Sequence, residues 1–433
     1  LQGLQGHLVA VSLPKSGADT GRWTVFAIAT AFFLLSQFYR AAVAVITPQL
    51  TADLGLTPQG LATLSAAFFY AFSLSQIPLA LYLDRIGPRR CMLALNLVGI
   101  AGALTFAAAQ SLGGLVFARA LLGIGMAGNL MGTFKLLAAW YSPRRFATLG
   151  GLVFSMGMGG SLLAASPLVV LTHLLGWRGA FVLFAGLNLG LSLVLMAKVR
   201  DTPAGKPTGK IEASDPGSAA SDGFRDFSRG LGLLLGKKDY WIISLAAGCR
   251  YGIFAAIQTL YCGPYLMRVK GYSPLVSGNI ILAMMLGVIA GGPFFGWLSD
   301  EIFHSRKTAV IGGLLGMTLS LVLIARLPPQ AGTIWVAAGF VLLGIFSSFT
   351  AILYTHIKEQ VQSDQAGSAM TGVNFFTMLA PGIFLQAMGL LMEWRHPAAP
   401  LGAAAFKETY WVCAAILAGV AILYLRTRDT RAE

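Results

Sequence analysis

The sequence predicts an all-α polytopic membrane protein whose twelve transmembrane helices form two pseudo-symmetric six-helix bundles. Three observations carry that expectation. Of the 433 residues, 56% are hydrophobic and 11% charged, with a mean hydropathy of +0.71, a balance that suits a bilayer rather than water. Apolar runs of about 20 residues recur, each long enough to cross a hydrocarbon layer about 30 Å thick at about 1.5 Å per helical residue. One long polar segment divides those runs six from six.

The predicted elements follow in order. Residues 1–22 form an N-terminal tail: the opening LQGLQGHLVAVSLPKSGADTG lacks an initiator Met and any apolar run long enough for a signal peptide, and reads as a cloning remnant or mobile tail. The first bundle, 23–199, holds spans at 23–50, 58–83, 91–109, 112–138, 146–172 and 178–199. A Pro-, Gly- and Ser-rich cytoplasmic linker covers 200–239, and its end, 224-FRDFSRGLGLLLGKK-238, reads either as an amphipathic helix on the membrane surface or as a flexible connection. The second bundle, 240–427, holds spans at 240–266, 274–298, 307–326, 333–357, 366–392 and 409–425, and 428–433 is a C-terminal tail.

Charge sets the topology. The chain carries a formal net charge of +14, but its Lys and Arg residues are not spread as nucleic-acid binding would need. With a cytoplasmic N-terminus, inner segments hold 21 of the 31 cations, outer loops 6 and the spans 4, which is the positive-inside pattern. Both termini are therefore expected in the cytoplasm, and the short outer loops suit a monomer in a bacterial inner membrane, in contact with lipid and not with nucleic acid. Cys91, Cys249, Cys262 and Cys413 show neither paired spacing nor clustering with histidine, so no disulfide, metal or cofactor is expected. No nucleophile–base set or phosphate loop appears either, which argues against an enzyme.

An internal repeat supports the division into halves. The loop after span 2 reads 80-ALYLDRIGPRR-90 and the loop after span 8 reads 296-GWLSDEIFHSRK-307, each with an aspartate four residues after a small residue and bases beyond it. Related halves meeting in mid-membrane are the usual build of a secondary transporter. The first loop resembles the cytoplasmic signature of the major facilitator superfamily, Gly-x-x-x-Asp-Arg-x-Gly-Arg-Arg, with Ala80 for the first Gly and Pro88 inserted before the bases; 119-RALLGIG-125 resembles the span 4 motif of that family. The resemblance covers nearly the whole chain. It implies that Asp84, Arg85 and Arg89 are gating residues, with Asp300 as their counterpart in the second half, and that Arg119 serves packing or gating.

The buried charges point to the cargo. On the predicted spans every one of the 17 Asp and Glu residues falls in a loop, a tail or near a span end, whereas Arg40, Arg119, Lys135 and Arg250 lie within spans. A charge at the bilayer centre costs at least about 2.5–3.5 kcal/mol and normally faces a cavity or a partner. With no protein carboxylate at that depth, the simplest counterion is an anionic substrate. Arg40 and Arg250 occupy the corresponding first helices of the two halves, and guanidinium suits bidentate contact with carboxylate or phosphate. Gln37 shares the Arg40 face of span 1, Tyr261 the Arg250 face of span 7, and Tyr39 and Tyr251 adjoin the arginines; these, with Lys135, complete the candidate substrate-binding set. Lys135 also lies near the inner end of span 4, where a lysine can snorkel.

A narrower resemblance follows from 38-FYRAAVAVITP-48 and 250-RYGIFAAIQTLYCGPYL-266, which resemble the organophosphate:phosphate antiporters in placing one arginine in each of these helices, followed by Tyr-Gly in span 7. It implies that Arg40 and Arg250 clamp the anionic head of the cargo; the chain reads as a carrier of a small phosphorylated or carboxylated metabolite working by alternating access, and the lack of an intramembrane acid beside two bare arginines points to exchange. Three alternatives stay open: proton-coupled uptake of amino acids or peptides; drug export through a site built on aromatics and residues such as Met284 and Met285; and a transporter-like sensor that binds without moving its ligand. Span 5 reads 163-LAASPLVV-170 where drug–proton antiporters carry Gly-Pro-Gly-Gly, which weighs against export.

Overall fold

The structure, a computed structural model, describes residues 16–202, 236–328, 330–361 and 366–430, and these are almost wholly helical. The tail at 1–15 and the proposed surface helix from 224 to 235 lie outside the described residues.

Twelve crossings appear. Span 1 consists of helices Ser16–Ala41 and Val43–Leu54, span 2 of Pro58–Ile86, span 3 of Pro88–Ala108, and span 4 of Leu112–Met126 and Asn129–Trp140. Pro143–Leu163 begins span 5, and the long helix Ser166–Lys198 finishes it, reverses at Gly176 and runs back as span 6. That reversal needs φ of 67° at Gly176, a left-handed value that only glycine adopts without strain. Span 7 is Lys238–Ala256 continued by π-turns at Ile257–Tyr261 and Tyr265–Val269, and span 8 is Pro274–Trp297 with a π-turn at Leu298–Ile302. Arg306–Arg326 is span 9, Thr333–Phe346 and Thr350–Glu359 make span 10, Ala366–Arg395 is span 11 and Ala403–Tyr424 span 12. Eleven helices are long and apolar enough to cross a membrane, and the shorter apolar stretch Leu149–Leu163 belongs to the remaining crossing.

Local chemistry starts these helices where it does. Thr57, Ser111, Ser273 and Ser305 cap spans 2, 4, 8 and 9, their hydroxyls accepting from the N–H of Gly60, Gly114, Val276 and Thr308 at 3.0–3.3 Å. Pro58 and Pro274 follow two of the caps, at the first helical position, where a missing N–H costs nothing.

Spans 1, 4 and 10 break in mid-membrane, and the freed carbonyls need new donors because lipid offers none. Gln76 Nε2 donates to the Ala127 carbonyl at the break of span 4, and the Ser347 and Ser348 hydroxyls donate to the Gly344 carbonyl beside that of span 10. Arginines serve the break of span 1 and a further carbonyl at that of span 10. Arg119 Nη1 of span 4 donates to the Tyr39 carbonyl in span 1 at 2.6 Å, and Arg250 Nη1 of span 7 donates to the Ser347 carbonyl in span 10. Each bundle thus ties its first and fourth helices with one arginine-to-carbonyl bond, in opposite order.

The bundles meet from the end opposite the termini down to about mid-membrane. There Gln59 N–H donates to Glu393 Oε1 (2.7 Å), Ser166 Oγ lies 2.6 Å from Asn279 Oδ1, Tyr70 Oη donates to Gln386 Oε1 (2.8 Å) and Ser73 Oγ to the Phe375 carbonyl (3.3 Å). Pro48 cannot offer an N–H to the Ala44 carbonyl, and Gly263 of span 7 packs directly on that carbonyl, where any Cβ would collide. One continuous apolar core runs through both bundles.

Candidate functional site

The site lies where spans 1, 2, 7 and 10 converge at the lower edge of this contact. The break of span 1, at Ala42, lies two residues beyond Arg40, which is 8% exposed. Its guanidinium carbon sits 5.0 Å from the ring centre of Phe72 and 5.9 Å from that of Phe69, both on span 2, and Nη1 donates to Tyr251 Oη of span 7 at 2.7 Å. Arg250 is 3% exposed, 5.4 Å from the Tyr251 ring and 5.6 Å from the Phe349 ring. Tyr251 therefore stands between the two cations, taking a hydrogen bond from one and facing the other with its π-electrons.

Among the described residues no carboxylate pairs with Arg40, Arg119 or Arg250. The ion pairs Arg178–Asp53, Arg306–Asp300, Arg306–Glu359 and Arg395–Glu408 all lie near helix ends. Nε of Arg40 and of Arg250 is buried without a hydrogen-bond partner, as is Gln37 Oε1. Aromatic faces and carbonyls disperse part of each charge and leave donors to spare. Such an arrangement is chemically able to accept an anion, because a charge-assisted bond made away from water is roughly twice as strong as a neutral one.

The other sequence-predicted residues divide. Tyr251 joins the arginines. Tyr39 turns its ring into the first bundle, 6.0 Å from Phe181 and edge-on to Phe38, and Tyr261 donates to the Leu385 carbonyl at 2.7 Å within the second bundle. Gln37 Nε2 makes only a long 3.9 Å contact with Met158 Sδ. Lys135 Nζ donates to the Leu83 carbonyl at 3.0 Å; Leu83 lies three turns beyond Phe72 on the same helix, about 16 Å along its axis. The structure therefore does not bring Lys135 to the arginine pair. Arg119 is fully buried over Phe68 (4.7 Å) and close enough to Arg40 to repel it.

Of the expected gating residues, Asp84 and Arg85 lie in the last turn of span 2, and their side chains are outside the described set. Arg89 N–H donates to Asp201 Oδ1 (2.7 Å) and its Nη2 to the Met196 carbonyl, tying span 3 to the end of span 6. Gly87, between the two charged pairs of the motif, has φ of 88° and lies so close to the Asp201 carboxylate that a Cβ would strike it. Asp300 pairs with Arg306, which also bonds Ser299 and Glu359 and so links spans 8, 9 and 10.

Sequence inspection missed Phe69, Phe72 and Phe349 as the aromatic lining, and Tyr354, which donates to Asn374 Oδ1 at 2.9 Å within electrostatic reach of Arg250 and Tyr251. The available signal was a hydroxylated ring and an amide within spans 10 and 11. Among the described residues no three His, Cys, Asp or Glu side chains converge as metal ligands, and all four cysteines are buried and unpaired.

Comparison with known proteins agrees with this architecture. A "Probable sulfoacetate transporter SauU" from Cupriavidus necator is 24% identical over 396 residues, spanning 86% of this chain and 87% of its own length. A "D-galactonate transporter" of Escherichia coli is 25% identical over 326 residues, 70% and 75% of the two chains. Among solved structures, a D-xylose–proton symporter superposes with a TM-score of 0.74 at 15% identity, covering 93% of this chain and 97% of that one. The profile of the Major Facilitator Superfamily matches residues 26–278 and again 243–433, and the chain, a multi-pass membrane protein, belongs to that superfamily.

Proposed function

We propose that this chain is a secondary active transporter of a small organic anion, binding the anionic head between Arg40 and Arg250 and moving it by alternating access as an exchanger. The observation that carries the reading is the pair of buried guanidinium groups, one from each bundle, with Tyr251 between them and no carboxylate beside either among the described residues. The relatives named for sulfoacetate and D-galactonate support an acidic cargo. Exchange follows from electrostatics: without cargo, reorientation would carry two uncompensated cations through an apolar barrier, whereas a bound anion offsets them.

With both termini cytoplasmic, the end where the bundles meet faces outward, and the structure corresponds to an inward-facing state. Lys135, Arg89 and Asp300, with Asp84 and Arg85 by family resemblance, then belong to the inner gate, and Arg119 holds the break of span 1 that presents Arg40. Gln37, Tyr39 and Tyr261 come into contact with cargo only if the spans reorient.

Purified protein in vesicles preloaded with sulfoacetate, D-galactonate or a sugar phosphate tests this. Labelled anion should enter rapidly against the matching unlabelled pool and slowly into empty vesicles, and Arg40→Ala and Arg250→Ala should abolish both. Net uptake driven by a pH gradient with no counter-anion would sink exchange. Binding without flux would identify a sensor, and full activity in the arginine variants would remove the anion site.

A further inference from the structure

The cations at the end opposite the termini are not distributed evenly. Six lie there: Arg178, Arg268, Lys270, Arg326, Arg395 and Lys407. Two are neutralised, Arg178 by Asp53 at 3.1 Å and Arg395 by Glu408 at 2.9 Å. Of the other four, Lys270, Arg326 and Lys407 line one cavity of about 240 Å³ between spans 7, 9 and 12. That is space for about eight waters, or for a phosphate ester with part of its alcohol. Among the described residues no acid lines it, and Glu408, the nearest carboxylate in sequence, is engaged by Arg395 and by His396 at 2.7 Å.

The surroundings fit an amphiphile better than a free ion. Lys270 Nζ is fixed across one wall by the Leu327 and Pro328 carbonyls at 3.2 and 2.6 Å, at the C-terminal end of span 9, where a cation is favoured. The heads of Arg326 and Lys407 have no hydrogen-bonded partner among the described residues; Arg326 lies 5.4 Å from the ring centre of Trp411, one turn beyond Lys407. Behind Arg326 on the same face of span 9, Leu323 and Leu319 are exposed, and below Lys407 on span 12 come exposed Trp411 and Ala415. Cations at the helix ends with apolar stripes running inward match a lipid: phosphate at the rim, acyl chain against leucine.

We propose that this cavity binds the phosphodiester headgroup of an anionic phospholipid, with Arg326 and Lys407 contacting phosphate and Lys270 shaping the pocket. The site is separate from Arg40 and Arg250 and does not depend on what the transporter carries.

The test uses the full-length protein in discs of phosphatidylcholine alone or mixed with phosphatidylglycerol. Phosphatidylglycerol should raise the unfolding temperature, and native mass spectrometry should retain it in preference to phosphatidylcholine. In Arg326→Gln and Lys407→Gln, whose side-chain heads make no hydrogen bonds to the fold, apparent affinity for the lipid should fall about five-fold for each charge removed. Arg178→Gln, which removes one cation from the same end but another place, should leave that affinity unchanged. Equal stabilisation by the two lipids, an undiminished response in both variants, or an equal loss in Arg178→Gln would overturn the proposal. So would stabilisation of the same size by glycerol 3-phosphate or inorganic phosphate, which would make the ligand a soluble anion.

Discussion

Arg40 and Tyr251 join the two bundles through one hydrogen bond of 2.7 Å between a guanidinium on span 1 and a phenol on span 7. The bond crosses the interface between the bundles, along which the halves would rock on the proposed function, so it would bias the balance between states. On the proposed function, Tyr251 would act as a placeholder, keeping a buried cation partly satisfied until cargo replaced it.

Removing the hydroxyl should shift the resting equilibrium. Tyr251→Phe keeps the ring that faces Arg250 but leaves Arg40 Nη1 without its acceptor, at a cost of roughly 1–3 kcal/mol in this state. Spin labels on the termini side of spans 5 and 8 should report a population moved toward the alternate conformation by five-fold or more. Unchanged distances in the cargo-free variant would show that the bond does not bias the states.

Arg40→Lys and Arg250→Lys separate charge from geometry. Each keeps a positive head but loses the planar fork that engages two anion oxygens together. Affinity should drop roughly 10–100-fold, the equivalent of about 1.5–3 kcal/mol, measured by calorimetry with the transported anion. Wild-type affinity in either lysine variant would mean that the arginines act as point charges only.

Glu393 forms a second tie between the bundles. Its carboxylate accepts the N–H of Gln59 in the first turn of span 2, at 2.7 Å, so an acid from one bundle sits on the positive helix end of the other. Glu393→Gln preserves an acceptor and loses only the charge, worth about 0.3–1 kcal/mol, while Glu393→Ala loses the bond as well. Accessibility of a cysteine introduced near Gln59 should rise modestly in the first and more strongly in the second. Equal accessibility in all three proteins would show that this end is held by apolar packing alone.

How much of this was legible in sequence depends on the range of the interaction. Span positions and the placement of Arg40 and Arg250 on the first helices of the two halves follow from hydropathy and from counting charges, which are local or global properties of the chain. The breaks after Arg40 and at Ser347 were not legible, since they depend on a donor or a carbonyl from another helix: Arg119 for Tyr39, Arg250 for Ser347. Equally hidden was the docking of the C-terminal segment. Asp429 accepts from Lys307 N–H and Ser305 Oγ, and buried His356 bonds the Arg428 carbonyl and Tyr424 Oη. Nothing near Asp429 in sequence signals that it caps span 9. Lys135 could be read as ligand or as snorkelling cation because its depth along span 4 was known but not its facing partner.

That partner leads to the last expectation. Lys135 Nζ holds the Leu83 carbonyl near the end of span 2, where the helix dipole is negative and the signature loop begins. If its role is to hold this end of the first bundle, Lys135→Gln should leave cargo affinity within about two-fold of wild type, because the arginine pair is about 16 Å away along span 2. Exchange should slow several-fold, since the loss falls on the state in which this contact forms and therefore on the barrier between states. Equilibrium binding measured beside vesicle exchange on the same preparation separates the alternatives. A large loss of affinity with an unaltered maximal rate would place the amine in the cargo site and reverse the assignment.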